Sequence, residues 1–124
     1  MKEKTYNGWT NYETWCTNLW LDNEEYTHSY CREVARDNCE LHFVDNTEDE
    51  KFQAIRDTED TIKDFVESEL IPQLQGLAAD LLGAALSEVN WREISEHYVN
   101  DIWDDICEEK LAELEDELFV GFLV

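Results

Sequence analysis

The side chains of this sequence that could do chemistry are mostly carboxylates, and they recur at helical spacing. The chain of 124 residues has 31 Asp and Glu against 9 Lys and Arg, which gives a net charge of -22. Spacings of three and four residues place side chains on one face of a helix. Two acidic rows follow this spacing: the first is Asp57, Asp60, Asp64 and Glu67, and the second is Asp101, Asp104, Asp105, Glu108 and Glu109. Such rows can accept hydrogen bonds from Arg and Lys of a partner.

The acidic rows have two interpretations: a solvated face that keeps the protein soluble, and mimicry of a nucleic-acid backbone. Like charges at helical spacing repel by roughly a few tenths of a kcal/mol per pair, whereas Lys at half of the positions would stabilise the helix. A compact chain of this length is about 35 Å across. Duplex DNA of that length carries roughly 20 phosphate charges. Because the net charge of -22 has the same size, we favour mimicry.

Metal and enzyme signatures are weak in this sequence. Glu25 and His28 match the E-x-x-H element of di-iron bundles, but Glu93 and His97 are four residues apart, so no second copy exists. Phosphate-binding loops, nucleophile elbows and EF-hand loops are absent from the sequence. The four cysteines form no CxxC pair and are expected to be reduced, mostly buried thiols: Cys16, Cys31, Cys39 and Cys107. We therefore expect no metal, no cofactor and no enzymatic activity.

Charge and apolar patterning limit the classes of partner and the compartment that we expect. Direct binding to nucleic acid needs Lys and Arg, which are scarce here, and an anionic membrane surface would repel the chain. No apolar run approaches the roughly 18–20 residues of a membrane span. The first ten residues have no apolar stretch typical of a secretory signal. The cytoplasm is the expected location.

The elements that position these rows are predicted to be helices. Three segments open with a capping-box pattern, in which a capping residue precedes Glu by three positions: Thr10 with Glu13, Thr47 with Glu50, and Asn90 with Glu93. Five helices follow, over residues 11–22, 23–37, 48–71, 73–89 and 91–118. Residues 39–46 form a connector that could hold one short strand. The prediction is an all-α, compact single-domain bundle of about five helices over residues 1–124, with a long acidic C-terminal helix.

Apolar side chains at helical steps predict the core faces of three helices. The expected core faces are Tyr26, Tyr30 and Val34 in the second helix, Phe52, Ile55, Ile62, Phe65, Val66 and Leu70 in the third, and Trp91, Ile94, Tyr98, Ile102 and Ile106 in the last. Leu111, Leu114 and Leu118 extend the last stripe. The apolar segment 119–124 either folds back onto the core or meets a second subunit.

Aromatic residues are concentrated near the N-terminus. Tyr6, Trp9, Tyr12, Trp15 and Trp20 lie within fifteen residues. We expect Trp15 in the core and Trp9 packed on the first helix, as in a hydrophobic staple. The alternative is a recognition patch, since Trp and Tyr dominate binding hot spots.

Two segments resemble a family of small acidic proteins of phages, plasmids and other mobile elements. The segment YNGWTNYETW at 6–15, followed by NLWLDN at 18–23, resembles the opening of that family, and VNWREISEH at 89–97 resembles its closing helix. The resemblance implies an accessory protein of a mobile element and supplies no catalytic residues. By charge, size and helicity the chain is also similar to anti-restriction DNA mimics and to acidic anti-CRISPR proteins.

The functional hypothesis is therefore an inhibitor of host defence. The nine residues of the two acidic rows would occupy the basic nucleic-acid groove of a restriction enzyme or CRISPR effector of the host. A rival hypothesis is an interaction or dimerisation module that uses the aromatic N-terminus or the apolar C-terminal segment, with a homodimer as one form.

Overall fold

The computed structural model describes residues 5–123, without the side chains of residues 120, 122 and 123. Five α-helices follow one another: α1 (Tyr12–Asn23), α2 (Glu25–His42), α3 (Glu48–Phe65), α4 (Leu77–Ser87) and α5 (Trp91–Leu123). A π-helical segment, Val66–Leu70, continues α3. No strand is present among the described residues. The prediction of an all-α bundle with a long C-terminal helix is confirmed.

Helices α2 and α3 pack side by side in opposite directions. The Asn38 amide donates to Thr58 Oγ1 at 3.0 Å near one end of the pair. The ring of Tyr30 stacks on that of Phe65 at 4.1 Å near the other end. Helices α2 and α3 are therefore antiparallel.

Helix α5 is also antiparallel to α3, which makes it parallel to α2. Ser95 Oγ donates to the Ile55 carbonyl oxygen at 2.6 Å, and Arg92 Nε donates to Glu59 Oε1 at 2.9 Å. All three helices contact one another and enclose the core. Its buried apolar residues on these helices include Cys31, Ala35, Cys39, Ala54, Ile62, Phe65, Ile94, Tyr98, Val99, Ile102, Trp103 and Ile106. The predicted core face of the last helix is thus confirmed.

Two of the three predicted caps are confirmed and one is wrong. Thr47 forms the full capping box with Glu50, and these hydrogen bonds lower the pKa of Glu50. Asn90 Oδ1 accepts from the Glu93 N–H at 3.2 Å. Helix α1 is capped by Asn11, whose Oδ1 accepts from the Thr14 N–H, and not by Thr10.

Helix α2 differs from its prediction in both length and buried face. It extends to His42, so the first half of the segment 39–46 is helix; the second half bends without forming a strand, and the possible short strand is not present. Its buried residues are Thr27, Cys31, Ala35 and Cys39, whereas Tyr26 is 66% exposed. Small side chains therefore line the face of α2 that packs against α3 and α5.

The remaining helices differ from their predicted ranges mainly at their ends. The helical stretch ends at Leu70, one residue earlier than predicted, and Ile71 before Pro72 has extended backbone. Helix α4 is shorter than predicted and has no buried residue. Helix α5 continues to Leu123, and the Phe119 side chain is 65% exposed instead of folded back onto the core. The prediction for the other residues of the segment 119–124 lies outside the described side chains.

Candidate partner-binding surface

The two acidic rows lie on opposite flanks of α2. In the first row, Asp57 Oδ2 lies 2.6 Å from His42 Nε2 of α2. In the second row, Glu109 Oε2 accepts from Arg36 Nη2 of α2 at 2.6 Å, and this bond raises the pKa of Arg36. Because α3 and α5 contact α2 from different sides, α2 lies between the rows.

The rows also lie at overlapping levels along α2. Antiparallel packing places α3 residues 57–67 beside α2 residues 30–42. Parallel packing places α5 residues 98–109 beside α2 residues 28–36, since the Tyr98 ring lies 6.3 Å from the His28 ring. The folded chain therefore brings together two rows that are about forty residues apart in sequence.

Helix α2 adds carboxylates of its own between the rows. Glu33, Asp37 and Glu40 are exposed and lie on the side of α2 opposite its buried residues. Arg36 Nε contacts Glu40 Oε1 at 3.1 Å, so α2 carries one internal ion pair. We call the nine row residues and these three residues the acidic surface. The contribution of α2 was missed in the sequence because Arg32 and Arg36 interrupt its charge pattern.

Accessibility differs little among the row residues. Eight of the nine are exposed. Asp57 is half-buried by its contact with His42. Glu109 is exposed but already paired with Arg36, so it is partly neutralised. The other seven row residues present their carboxylates to solvent, where they could accept from Arg or Lys of a partner.

The aromatic N-terminal residues have mixed roles. Trp9 is partly buried against the core, and its ring meets the edge of His97 at 5.6 Å, so it packs on α5. Trp15 is half-buried and packs against Tyr6 at 5.0 Å. Trp20 is 64% exposed and lines an apolar cleft of about 330 Å³ between α1, the π-helical segment and α4.

A polar cluster around Asp22 was not predicted from the sequence. Asp22 Oδ1 accepts from the Tyr98 hydroxyl at 2.5 Å and lies 3.4 Å from His28 Nδ1. Asp22 Oδ2 lies 3.0 Å from the Asn18 amide nitrogen and 3.2 Å from His97 Nε2. Burial, together with the Asp22 carboxylate, raises the pKa of Tyr98. No periodicity signals this cluster, because its members come from three helices.

The cluster has no arrangement that suits a metal ion. Among residues 5–123, no group of three or more His, Cys, Asp or Glu is placed to hold a metal ion. His28 is the histidine of the E-x-x-H pair with Glu25, and its Nδ1 lies 3.4 Å from Asp22 Oδ1. The geometry is that of a structural network joining α1, α2 and α5.

None of the helices in the described part of the chain is long and apolar enough to cross a bilayer.

Comparison with known proteins places the chain in a family without supplying an activity. No curated protein matches the chain, and no solved structure matches it either. A family model described as a family of unknown function, DUF7249, matches residues 2–118. The chain therefore belongs to this family of unknown function, DUF7249.

Proposed function

We propose that the protein is an inhibitor of host defence, encoded by a phage or another mobile element, that acts in the cytoplasm of the host cell without catalysis. Its acidic surface would occupy the nucleic-acid groove of a restriction enzyme or CRISPR effector and exclude DNA or RNA. The observation that carries the proposal is the position of the two acidic rows on the flanks of α2, whose outer side is itself acidic.

The density of carboxylates supports this proposal. The α2 stretch beside the rows, residues 28–42, is about 21 Å long at 1.5 Å per residue. Duplex DNA of that length carries about 12 phosphates. The acidic surface holds nine row carboxylates and three on α2; Glu109 and Glu40 are paired with Arg36, which leaves ten carboxylates outside that ion pair. A groove that binds phosphates through Arg and Lys would therefore meet a comparable number of charges over the same length.

An inhibition assay tests the proposal. Purified restriction enzymes and CRISPR effectors are assayed for DNA cleavage with and without the chain. The variant Asp101→Lys/Asp104→Lys/Asp105→Lys should lose inhibition, because like charges would face the groove. Inhibition by the unchanged chain should weaken steeply between about 0.05 and 0.2 M salt, as expected when charge dominates binding.

A matched variant separates the acidic surface from net charge. Glu113→Lys/Glu115→Lys/Asp116→Lys changes the same helix and the net charge by the same amount, but these residues follow Glu109, which contacts Arg36 of α2. This control should still inhibit. Equal loss in both variants, or inhibition that does not respond to salt, would contradict mimicry.

A second candidate is a protein-interaction module that does not depend on mimicry. Exposed apolar side chains favour it, among them Trp20 on α1 and Leu118 on α5. Alanine at Trp9 and Trp20 should then reduce partner binding more than the acidic substitutions do.

A further inference from the structure

The last part of α5 presents an unpartnered apolar stripe. Cys107, Leu111, Leu114 and Leu118 follow one another at steps of four, three and four residues, which is the spacing of a and d positions in a coiled coil. Cys107 is partly buried against the core. The three leucines are 58%, 55% and 73% exposed in chain order. We call these three leucines the arm stripe.

The arm stripe begins at a groove. The connector between α2 and α3 lies beside α5, where Phe43 packs on Trp103 at 5.0 Å and the Trp103 indole N–H donates to Asn46 at 2.8 Å. A groove of about 470 Å³ runs between the connector and α5, lined by Val44, Cys107, Leu111 and Leu114 among others. Val44 is itself 74% exposed, so the apolar surface continues from α5 onto the connector.

Carboxylates flank the arm stripe on both sides. At 3.6 residues per turn, Glu113 and Glu117 lie on one flank, and Glu108 and Glu115 lie on the other. Glu113 and Glu117 also line the groove. Residues 108–118 contain six acidic side chains against Lys110 alone. This apolar stripe with acidic borders is the complement of a helix with an apolar stripe and basic borders.

We propose that the arm stripe and its groove bind a basic amphipathic helix of a partner protein. Apolar side chains of that helix would cover Leu111 and Leu114 and enter the groove beside Val44. Its Lys and Arg would pair with the flanking glutamates. This site shares only Glu108 with the acidic surface, uses apolar contact as well as charge, and does not depend on the proposed inhibition.

A second copy of this chain fits the same stripe less well. Pairing of two arm stripes would bring Glu113 and Glu117 of one copy near equivalent carboxylates of the other. Like charges across a helix pair oppose association, whereas a basic helix converts each of these contacts into attraction.

Fluorescence anisotropy with a designed peptide tests this proposal. The probe is a labelled synthetic helix of about three heptads with Leu at a and d and Lys or Arg at e and g. The control peptide has the same composition in scrambled order, which removes the apolar stripe but keeps the charge. The full chain should bind the amphipathic peptide about tenfold more tightly than the scrambled one, since burial of the stripe requires aligned leucines.

Variants at exposed leucines then locate the site. The variant Leu111→Gln/Leu114→Gln/Leu118→Gln should bind the amphipathic peptide about tenfold more weakly. The control Leu77→Gln/Leu81→Gln alters leucines of α4 that are 75% and 62% exposed and should bind as the unchanged chain does. Circular dichroism checks that both variants keep their helices.

Three results would overturn the inference. Equal binding of both peptides, or unchanged binding by the arm variant, would show that only bulk charge attracts the peptide. A chain that sediments as a dimer, with the arm variant as a monomer, would identify a second copy as the occupant. The variant Asp101→Lys/Asp104→Lys/Asp105→Lys should still bind the peptide, so a failure of the proposed inhibition would not by itself contradict this site.

Discussion

The hydrogen bond between Tyr98 and Asp22 gives a sharp test of how α1 is held to the bundle. Tyr98 is 1% exposed, and its hydroxyl donates to Asp22 Oδ1 at 2.5 Å. The substitution Tyr98→Phe removes this donor and leaves the aromatic ring in place. The change therefore removes the charge-assisted bond between α5 and the end of α1, together with the weaker contact of the hydroxyl with the Cys31 thiol.

The expected loss follows from the surroundings of Asp22. A hydrogen bond to a charged group contributes about 1.5–3 kcal/mol. In the variant the Asp22 carboxylate still accepts a hydrogen bond from the Asn18 amide at 3.0 Å. Because the Asp22 side chain is 29% exposed, water can also take the place of the missing hydroxyl donor. We expect a decrease of about 1–2 kcal/mol in the free energy of unfolding, with partial compensation by water. For 124 residues this corresponds to a Tm lower by about 4–8 °C.

Urea unfolding followed by far-UV circular dichroism measures this loss. The midpoint should fall while the m-value stays constant, since no large surface is newly exposed. Tyr26→Phe is the matched control: Tyr26 is 66% exposed, and its substitution should change stability by less than about 0.5 kcal/mol. The double-mutant cycle of Tyr98→Phe with Asp22→Ala should give a coupling energy of about 1–2 kcal/mol.

Either of two results would contradict this prediction. A Tyr98→Phe variant as stable as Tyr26→Phe would show that the bond adds nothing beyond what water supplies. Additive effects of Tyr98→Phe and Asp22→Ala would show that the two groups are not coupled in the folded protein.

Three further predictions concern stability. Thr47→Ala removes the capping box of α3 and should lower the unfolding free energy by about 1 kcal/mol, read from the urea midpoint. Ile62→Ala empties a fully buried site and should cost about 2–5 kcal/mol, whereas Leu81→Ala at an exposed site should cost less than about 0.5 kcal/mol. Burial raises the pKa of Cys31 and Cys39 from 9.0 to about 12, so both stay neutral in the folded chain while they ionise in the unfolded one. The contribution of these two thiols to the free energy of unfolding is present below about pH 9 and is lost as the pH rises toward 12. The variant Cys31→Ala/Cys39→Ala should therefore show a flatter decline of stability in urea titrations at stepped pH.

Local signals in the sequence were sufficient to predict most helices. The capping box at Thr47 depends on residues three positions apart, and the core stripe from Trp91 to Ile106 depends on one helix alone. Both were predicted because periodicity and capping are properties of a single segment. The acidic rows were found for the same reason, and their exposure agrees with the predicted face.

Helix ends and buried faces were harder to predict where residues distant in sequence take part in the hydrogen bonds and packing. Thr10 was expected to cap α1, but its N–H donates to Glu93, which is 83 residues away, while Asn11 takes the capping role. On α2, the face with Tyr26 was expected inside, but Cys31 and Ala35 are buried instead. The face of α2 with small side chains is buried because it allows the three helices to pack closely. Which face this is depends on the helices that become neighbours of α2.

The sequence by itself determined the charge, the helical content and the two acidic rows, because these depend on residue type and local spacing. Only the tertiary structure decided that the rows flank α2, that Asp22 joins three helices, and that the arm stripe lies outside the core. Each of these depends on which helices become neighbours and in which direction they run. That choice is made by packing over long sequence separations, which no local pattern encodes.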